Sequence, residues 1–193
     1  MSEREKRWAG VIGPHGGYRN LKSYQNAEII HDATVVFCKR FVDRRSRTQD
    51  QMVQAARSGK QNIAEGSMAS GTSRKTELKL VSVARASLEE LLLDYQDFLR
   101  QNELSLWEKD HPKATEVRKL AYMTNRSYET YRTYVESTAE AAANALICLI
   151  HQANYLLDQQ SRQLDQQFRE EGGFTEKLHR ARTHARKFHP RAD

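Results

Sequence analysis

Asn62 and Glu65 stand three residues apart in residues 58–66, SGKQNIAEG. On a helix that spacing puts both side chains on one face. A carboxylate held there could serve as a general acid or base, so a hydrolase using Glu65 is one reading. No second acid and no histidine has a defined spacing to it, and a helix-end or inter-helix hydrogen-bond partner is the better reading. His179, His184 and His189 recur every five residues and invite a metal site. Five residues turn a helix by about 140° from alignment, so the three cannot share a face. Glu89, Glu90, Asp94 and Asp97 supply carboxylates, but the chain lacks the Glu-x-x-His pairs of a helical di-metal site. They read as a solvated or salt-bridged face. His31-Asp32 and His151 have no neighbouring nucleophile pattern, and neither G-x-S-x-G nor H-E-x-x-H occurs. The chain is expected to be no enzyme, with no metal and no cofactor.

The remaining chemistry is cationic. Net charge is +6 and the pI is about 9.4. Residues 39–47 carry Lys39, Arg40, Arg44, Arg45 and Arg47 against Asp43, and residues 57–85 carry Arg57, Lys60, Arg74, Lys75, Lys79 and Arg85 against Glu65 and Glu77. Residues 174–193 add a third basic stretch that includes Arg182, Arg186 and Lys187, whereas residues 86–110 hold seven acids against Arg100 and Lys109. This unevenness predicts one basic end of the molecule. Arg44, Arg45, Arg47, Arg57, Lys60, Arg74, Lys75 and Lys79, with the tail residues Arg182, Arg186 and Lys187, are the candidate nucleic-acid contacts, because releasing counterions rewards each neutralised phosphate. An ordinary solvated basic surface is the alternative. Trp8, Tyr18 and Tyr24 lie near enough in sequence to permit base stacking.

These side chains must be positioned by helices. Three prolines and nine glycines in 193 residues leave long uninterrupted stretches, and 38% hydrophobic against 29% charged residues suits helices that each bury one stripe. Residues 1–18, with Gly10, Gly13-Pro14 and Gly16-Gly17, read as a flexible leader; GPHGGY lacks the ending of a phosphate loop. From Asn20, a candidate N-cap, Leu21, Tyr24, Ile30, Phe37 and Phe41 form one stripe. A second helix over roughly 48–64 buries Met52, Ala55, Ala56 and Ile63. The third is the clearest: Val81, Leu88 and Tyr95 recur every seven residues, as do Ala84, Leu91 and Phe98, behind an N-cap at Ser73. Such a seam suits either a bundle interior or an oligomer interface. A connector over 102–112 leads to a short helix starting near Pro112. Tyr128, Val135, Ala142, Leu149 and Leu156 then keep seven-residue spacing, which predicts one helix over 127–168, on the order of 60 Å long. Its last turns would project beyond the bundle or meet another subunit. Gly172-Gly173 stops it, and residues 174–187 form a short basic helix or a mobile tail.

No window reaches the roughly 18–20 apolar residues of a membrane span, and the N-terminus has no secretory pattern. Cys38 and Cys148 sit in apolar helical surroundings without metal-ligand spacing and read as buried thiols. A cytoplasmic location with no membrane partner is expected. The domain plan is a leader over 1–18, an all-α antiparallel up-down four-helix bundle over 19–168, and a basic extension over 169–193.

Residues 58–66, then Ser73 and Glu77, then Ala84 and Ser87-Leu88-Glu89-Glu90-Leu91 resemble the pattern N-I-A-E-G … S-x-x-x-E … A-x-x-S-L-x-E-L. It belongs to the small four-helix-bundle proteins encoded in ribosomal-RNA intervening sequences, a family that includes the accessory variability proteins of diversity-generating retroelements. The resemblance spans residues 18–101 and, more weakly, 142–160. It implies a non-enzymatic homo-oligomer, a pentamer in the members it is similar to. It also implies a basic surface that engages a reverse transcriptase and its RNA or DNA. On this basis Asn62, Glu65, Val81, Leu88, Glu90 and Tyr95 are expected at packing or oligomer contacts. Gly59-Lys60 departs from the family, which has an apolar residue and Pro there, and the extension after Tyr155 exceeds its usual length. A protein–protein scaffold without a nucleic-acid role stays open beside the accessory-factor reading.

Overall fold

The computed structural model describes residues 15–188, except the side chains of Glu171 and of residues 185–188. The described residues are helical and contain no strand. A 3₁₀ turn, Tyr18–Asn20, precedes α1 (Lys22–Phe41), α2 (Arg47–Ala69), α3 (Arg74–Gln101), α4 (Pro112–Leu120), α5 (Tyr128–Val135), α6 (Ala139–Glu171) and α7 (Phe174–Phe188).

Local chemistry accounts for most boundaries. Ser46 Oγ accepts from Thr48 N to start α2, and Ser73 Oγ accepts from Thr76 N to start α3, both at 3.2 Å. Pro112 opens α4 at the position where a missing N–H costs nothing. Asn20 is not the cap of α1, contrary to expectation. It closes the 3₁₀ turn, and extended Leu21 takes the cap position without a side-chain bond. Residue 172 ends α6 with φ of +71°, a conformation suited to glycine. α2 outruns its expected end by five residues, through Gly66, where the glycine lets the backbone of Glu77 come close.

α1 packs on α2 and α6, and α3 packs on the same two helices. Cross-helix bonds fix the directions. Lys60 reaches His31 while Met52 touches Cys38; Ser58 meets Ser87 while Gly66 approaches the Glu77 backbone; Arg85 meets Asp158 and Glu89 meets Asn154. In each pair of helices one number rises as the other falls, so the neighbours run antiparallel. The core between them holds Ile30, Phe37, Ile63, Leu88, Leu146, Leu149 and Ile150, none of them exposed to solvent. Val81 and Tyr95 are equally buried. The seven-residue seam of α3 thus lies inside its own chain and is not free to meet another subunit.

Two expectations need correction. The helix expected over 127–168 breaks at 136–138. Thr138 Oγ1 accepts from Ala141 N at 3.2 Å and starts α6, while Arg40 donates from Nη1 to Val135 O (3.0 Å) and from Nη2 to Ser137 O (3.2 Å). Those bonds satisfy carbonyls that a continuous helix would have used itself. The second correction follows from the first. With the Arg85–Asp158 register, the start of α3 lies level with the end of α6, and Leu164 and Gln167 line a small recess with Ser70 and Arg74. The last turns of α6 therefore pack on their own chain. Thr138→Ala should cost about 1 kcal/mol of unfolding free energy by urea titration, the usual loss for an N-cap; no change would mean that the Arg40 bonds alone hold the break.

The described end of the leader is also packed: Gly16 N donates to Ser67 O at 3.0 Å, and a Cβ at Gly71 would lie 2.8 Å from the His15 ring. Residues 1–14 lie outside the described residues.

Candidate nucleic-acid interface

Arg44 and Arg45 sit on the tight turn between α1 and α2 and Arg47 opens α2; all three are exposed. Asp43 shapes this turn: its Oδ1 accepts from Arg45 N (2.9 Å) and its carbonyl accepts from Ser46 N (2.9 Å). Arg57 and Lys60 follow on the middle of α2, with Lys60 Nζ 3.4 Å from His31 Nδ1. Burial, with the Lys60 charge behind it, holds the His31 pKa below its ordinary value, and Asp32 opposes the shift. Lys75 and Lys79 are exposed on the first turns of α3, and Arg74 beside them is half-buried. Among the described residues no carboxylate ion-pairs with Arg44, Arg45, Arg47, Arg57, Lys60, Lys75 or Lys79, in contrast to Arg85, Arg100, Arg132 and Arg169.

The expected single basic end is replaced by two. Arg44, Arg45 and Arg47 lie at the start of α2, and Arg74, Lys75 and Lys79 follow its end. The 23 residues of α2 separate the two groups by roughly 35 Å at 1.5 Å per residue. α7 starts at the second end, where Phe174 and Lys177 face Ser70, Gly71 and Ser73 across a recess of about 280 Å³. Arg182 is exposed on α7, and Arg186 and Lys187 fall in its last turn.

Of the family-like polar residues, Asn62 is half-buried and donates from Nδ2 to Ser58 O (2.9 Å) and Ser58 Oγ (3.1 Å), while Ser58 Oγ lies 2.9 Å from Ser87 Oγ. Gly59 holds α2 against Leu88. Glu65 and Glu90 are exposed and have no hydrogen-bond or ion-pair partner among the described residues. The expectation that they fix helix packing is corrected by helical phase. Glu65 lies about 120° round α2 from Gly59, and Glu90 about 160° round α3 from Leu88.

The acids of α3 are dispersed. Glu89 accepts from Asn154 at 3.0 Å, Asp97 pairs with Arg100 at 2.7 Å, and burial raises the Asp94 pKa with help from Glu90 and Asp97. No three His, Cys, Asp or Glu side chains among the described residues are placed to hold a metal ion; His189 lies outside them. Both cysteines are free, Cys38 buried and Cys148 half-buried, and burial pushes the Cys38 thiol up to about 12. Tyr18 and Tyr24 pack edge to face at 4.8 Å, each half-buried; Trp8 lies outside the described residues. No described helix is long and apolar enough to cross a membrane.

A feature absent from the sequence reading is a cavity of about 630 Å³ along the outer side of α6, roofed by residues 106–126. Among the described residues its charged lining comes from Lys22, Lys109, Arg118 and Arg126, with His151, and includes no carboxylate. These residues span over a hundred positions with no common spacing, so no local pattern announces them.

No protein-family model, no curated protein and no solved structure matches this chain.

Proposed function

We propose that this chain is a non-enzymatic, homo-oligomeric accessory protein that binds RNA or single-stranded DNA through its two basic ends. Its frame is an antiparallel up-down four-helix bundle of α1, α2, α3 and α6, the plan favoured by their mutual registers. The observation that carries the binding reading is the set of exposed cations, Arg44, Arg45, Arg47, Arg57, Lys75 and Lys79, held without carboxylate partners among the described residues. A phosphate backbone supplies the charges this surface lacks. The resemblance of residues 58–91 to the retroelement accessory proteins favours a reverse transcriptase as a protein partner, a pentameric assembly and a cytoplasmic setting. Assembly draws further support from the outward stripe of α3, where Val83 and Leu93 are exposed on either side of Glu90.

Equilibrium binding to single-stranded RNA and DNA over a salt series tests the reading. Affinity should fall linearly on logarithmic axes, and replacing Arg44, Arg45 and Arg47 by Ala should reduce the slope by about 2, near 0.7 per lost phosphate contact. Absence of salt-sensitive binding at low ionic strength removes the proposal. The scaffold alternative rests on the same Val83–Leu93 stripe, and capture of one defined protein that survives nuclease treatment would favour it.

A further inference from the structure

We propose that the cavity on the outer side of α6 is a binding site for an apolar organic acid, held as its anion. The roof is pinned at both ends. Asn144, buried in α6, accepts from Trp107 N at 2.7 Å and donates from Nδ2 to Ser105 O at 2.8 Å. At the other end, Arg126 Nη1 donates to Asn26 Oδ1 on α1 at 2.8 Å. Trp107 stacks on His111 with centroids 4.9 Å apart, which stiffens the first limb. The space between the limbs is therefore built into the fold, and its 630 Å³ lies within the range of small-molecule sites.

The charge of the lining selects the ligand. Arg118 donates to Lys109 O and to Thr115 Oγ1, and Arg126 to Asn26 Oδ1; all three acceptors are neutral. Among the described residues no carboxylate pairs with either arginine, with Lys22 or with Lys109. The cavity borders the most acidic stretch of the chain, residues 86–110, yet that stretch contributes Gln96, Leu106, Trp107 and Lys109 to it and none of its acids. Guanidinium groups half withdrawn from water, with N–H donors to spare and no anion beside them, are completed by an anionic ligand.

The rest of the wall selects an apolar body. Ile147 and Leu156 line the α6 side. Leu106, Tyr122 and Tyr155 stand at the rim with half or more of their surface exposed, Tyr122 as much as 89%, and exposed apolar groups gathered round a groove mark a ligand surface. Gln152 Oε1 is buried in this wall without a donor, leaving one acceptor for a hydroxyl or N–H on the ligand.

Cys148 lines the cavity, and Cys38, the other of the two cysteines, is fully buried elsewhere. Alkylation of Cys148 by neutral iodoacetamide, followed by mass spectrometry on the full chain at mildly alkaline pH, therefore reports on occupancy. Dodecanoate below its micellar concentration should slow that reaction about tenfold or more and saturate at one per chain, while dodecanol and dodecyltrimethylammonium should not, since only the acid offers an ionised acceptor to the guanidinium groups. Lys22 and Lys109 are exposed, so Lys22→Glu with Lys109→Glu should keep the thermal midpoint and weaken dodecanoate about tenfold through the lost attraction. Ala121→Trp, which fills the cavity, should abolish protection. Equal protection by dodecanol, or none by dodecanoate, would overturn the proposal. Equal protection by oligodeoxythymidylate would also overturn it, assigning the cavity to nucleic acid instead.

Discussion

Tyr95→Ala is expected to lower the unfolding free energy by about 3–5 kcal/mol, the usual loss when a large ring is cut from a packed core. Against a total of roughly 5–15 kcal/mol that leaves a marginal protein. Tyr95 has no exposed surface, its ring meets Phe37 edge to face at 4.9 Å, and its hydroxyl donates to Thr34 Oγ1 at 3.0 Å. Phe37 in turn meets Phe41 and Phe98, so the cavity left behind is walled by rings that cannot all collapse into it. Tyr95→Phe keeps the packing and strands only the buried Thr34 hydroxyl, which should cost about 1–2 kcal/mol. Urea titration of both variants separates ring from hydroxyl. The measurement also decides between a core seam and a subunit seam. A core residue destabilises by the same amount at any protein concentration, whereas the loss at an interface residue vanishes where the chain is monomeric and grows as concentration drives assembly. A loss below about 1 kcal/mol for Tyr95→Ala would contradict the core assignment.

What the sequence disclosed and what it hid follow from the range of the forces involved. The start of α3 was legible because Ser73 and Thr76 are neighbours in the chain, and its buried face because Val81, Leu88 and Tyr95 share one helical phase. The break before α6 was hidden because Tyr128, Val135, Ala142, Leu149 and Leu156 keep seven-residue spacing straight across it. Part of what stabilises the break is Arg40, almost a hundred residues away. The cations were each identifiable, but their division between two ends depends on α2 running antiparallel to both neighbours. Glu65 and Glu90 sit in a segment that resembles a packing signature. Phase counting from Gly59 and Leu88 nevertheless turns them outward, because 100° per residue carries Glu65 and Glu90 away from those contacts. The cavity could not be foreseen, since Lys22 and Arg126 come to line one space only once the roof has folded over α6.

Gly59→Leu is expected to cost about 3 kcal/mol or more, at the upper end of overpacking in a filled core. A Cβ at this position would lie 2.8 Å from Leu88 Cδ2 and 2.9 Å from Leu88 Cγ, and Leu88 has no exposed surface into which to retreat. Even Gly59→Ala sets two effects against each other. Helix propensity favours alanine by about 1 kcal/mol, whereas displacing a buried leucine costs about 1–3 kcal/mol, so a net loss is expected. Gly66 provides the control within the same helix. A Cβ there meets nothing closer than 3.4 Å, so Gly66→Ala should keep most of its propensity gain of up to about 1 kcal/mol. Opposite signs at two glycines seven residues apart cannot come from propensity, which is the same at both. They can come only from the side chain that faces each one. Pairing Gly59→Ala with Leu88→Val tests that cause directly. Removing a methylene opposite the new methyl should make the double variant more stable than the sum of the single losses, by about 1 kcal/mol. Strict additivity would mean that Gly59 is required for some reason other than the approach of Leu88.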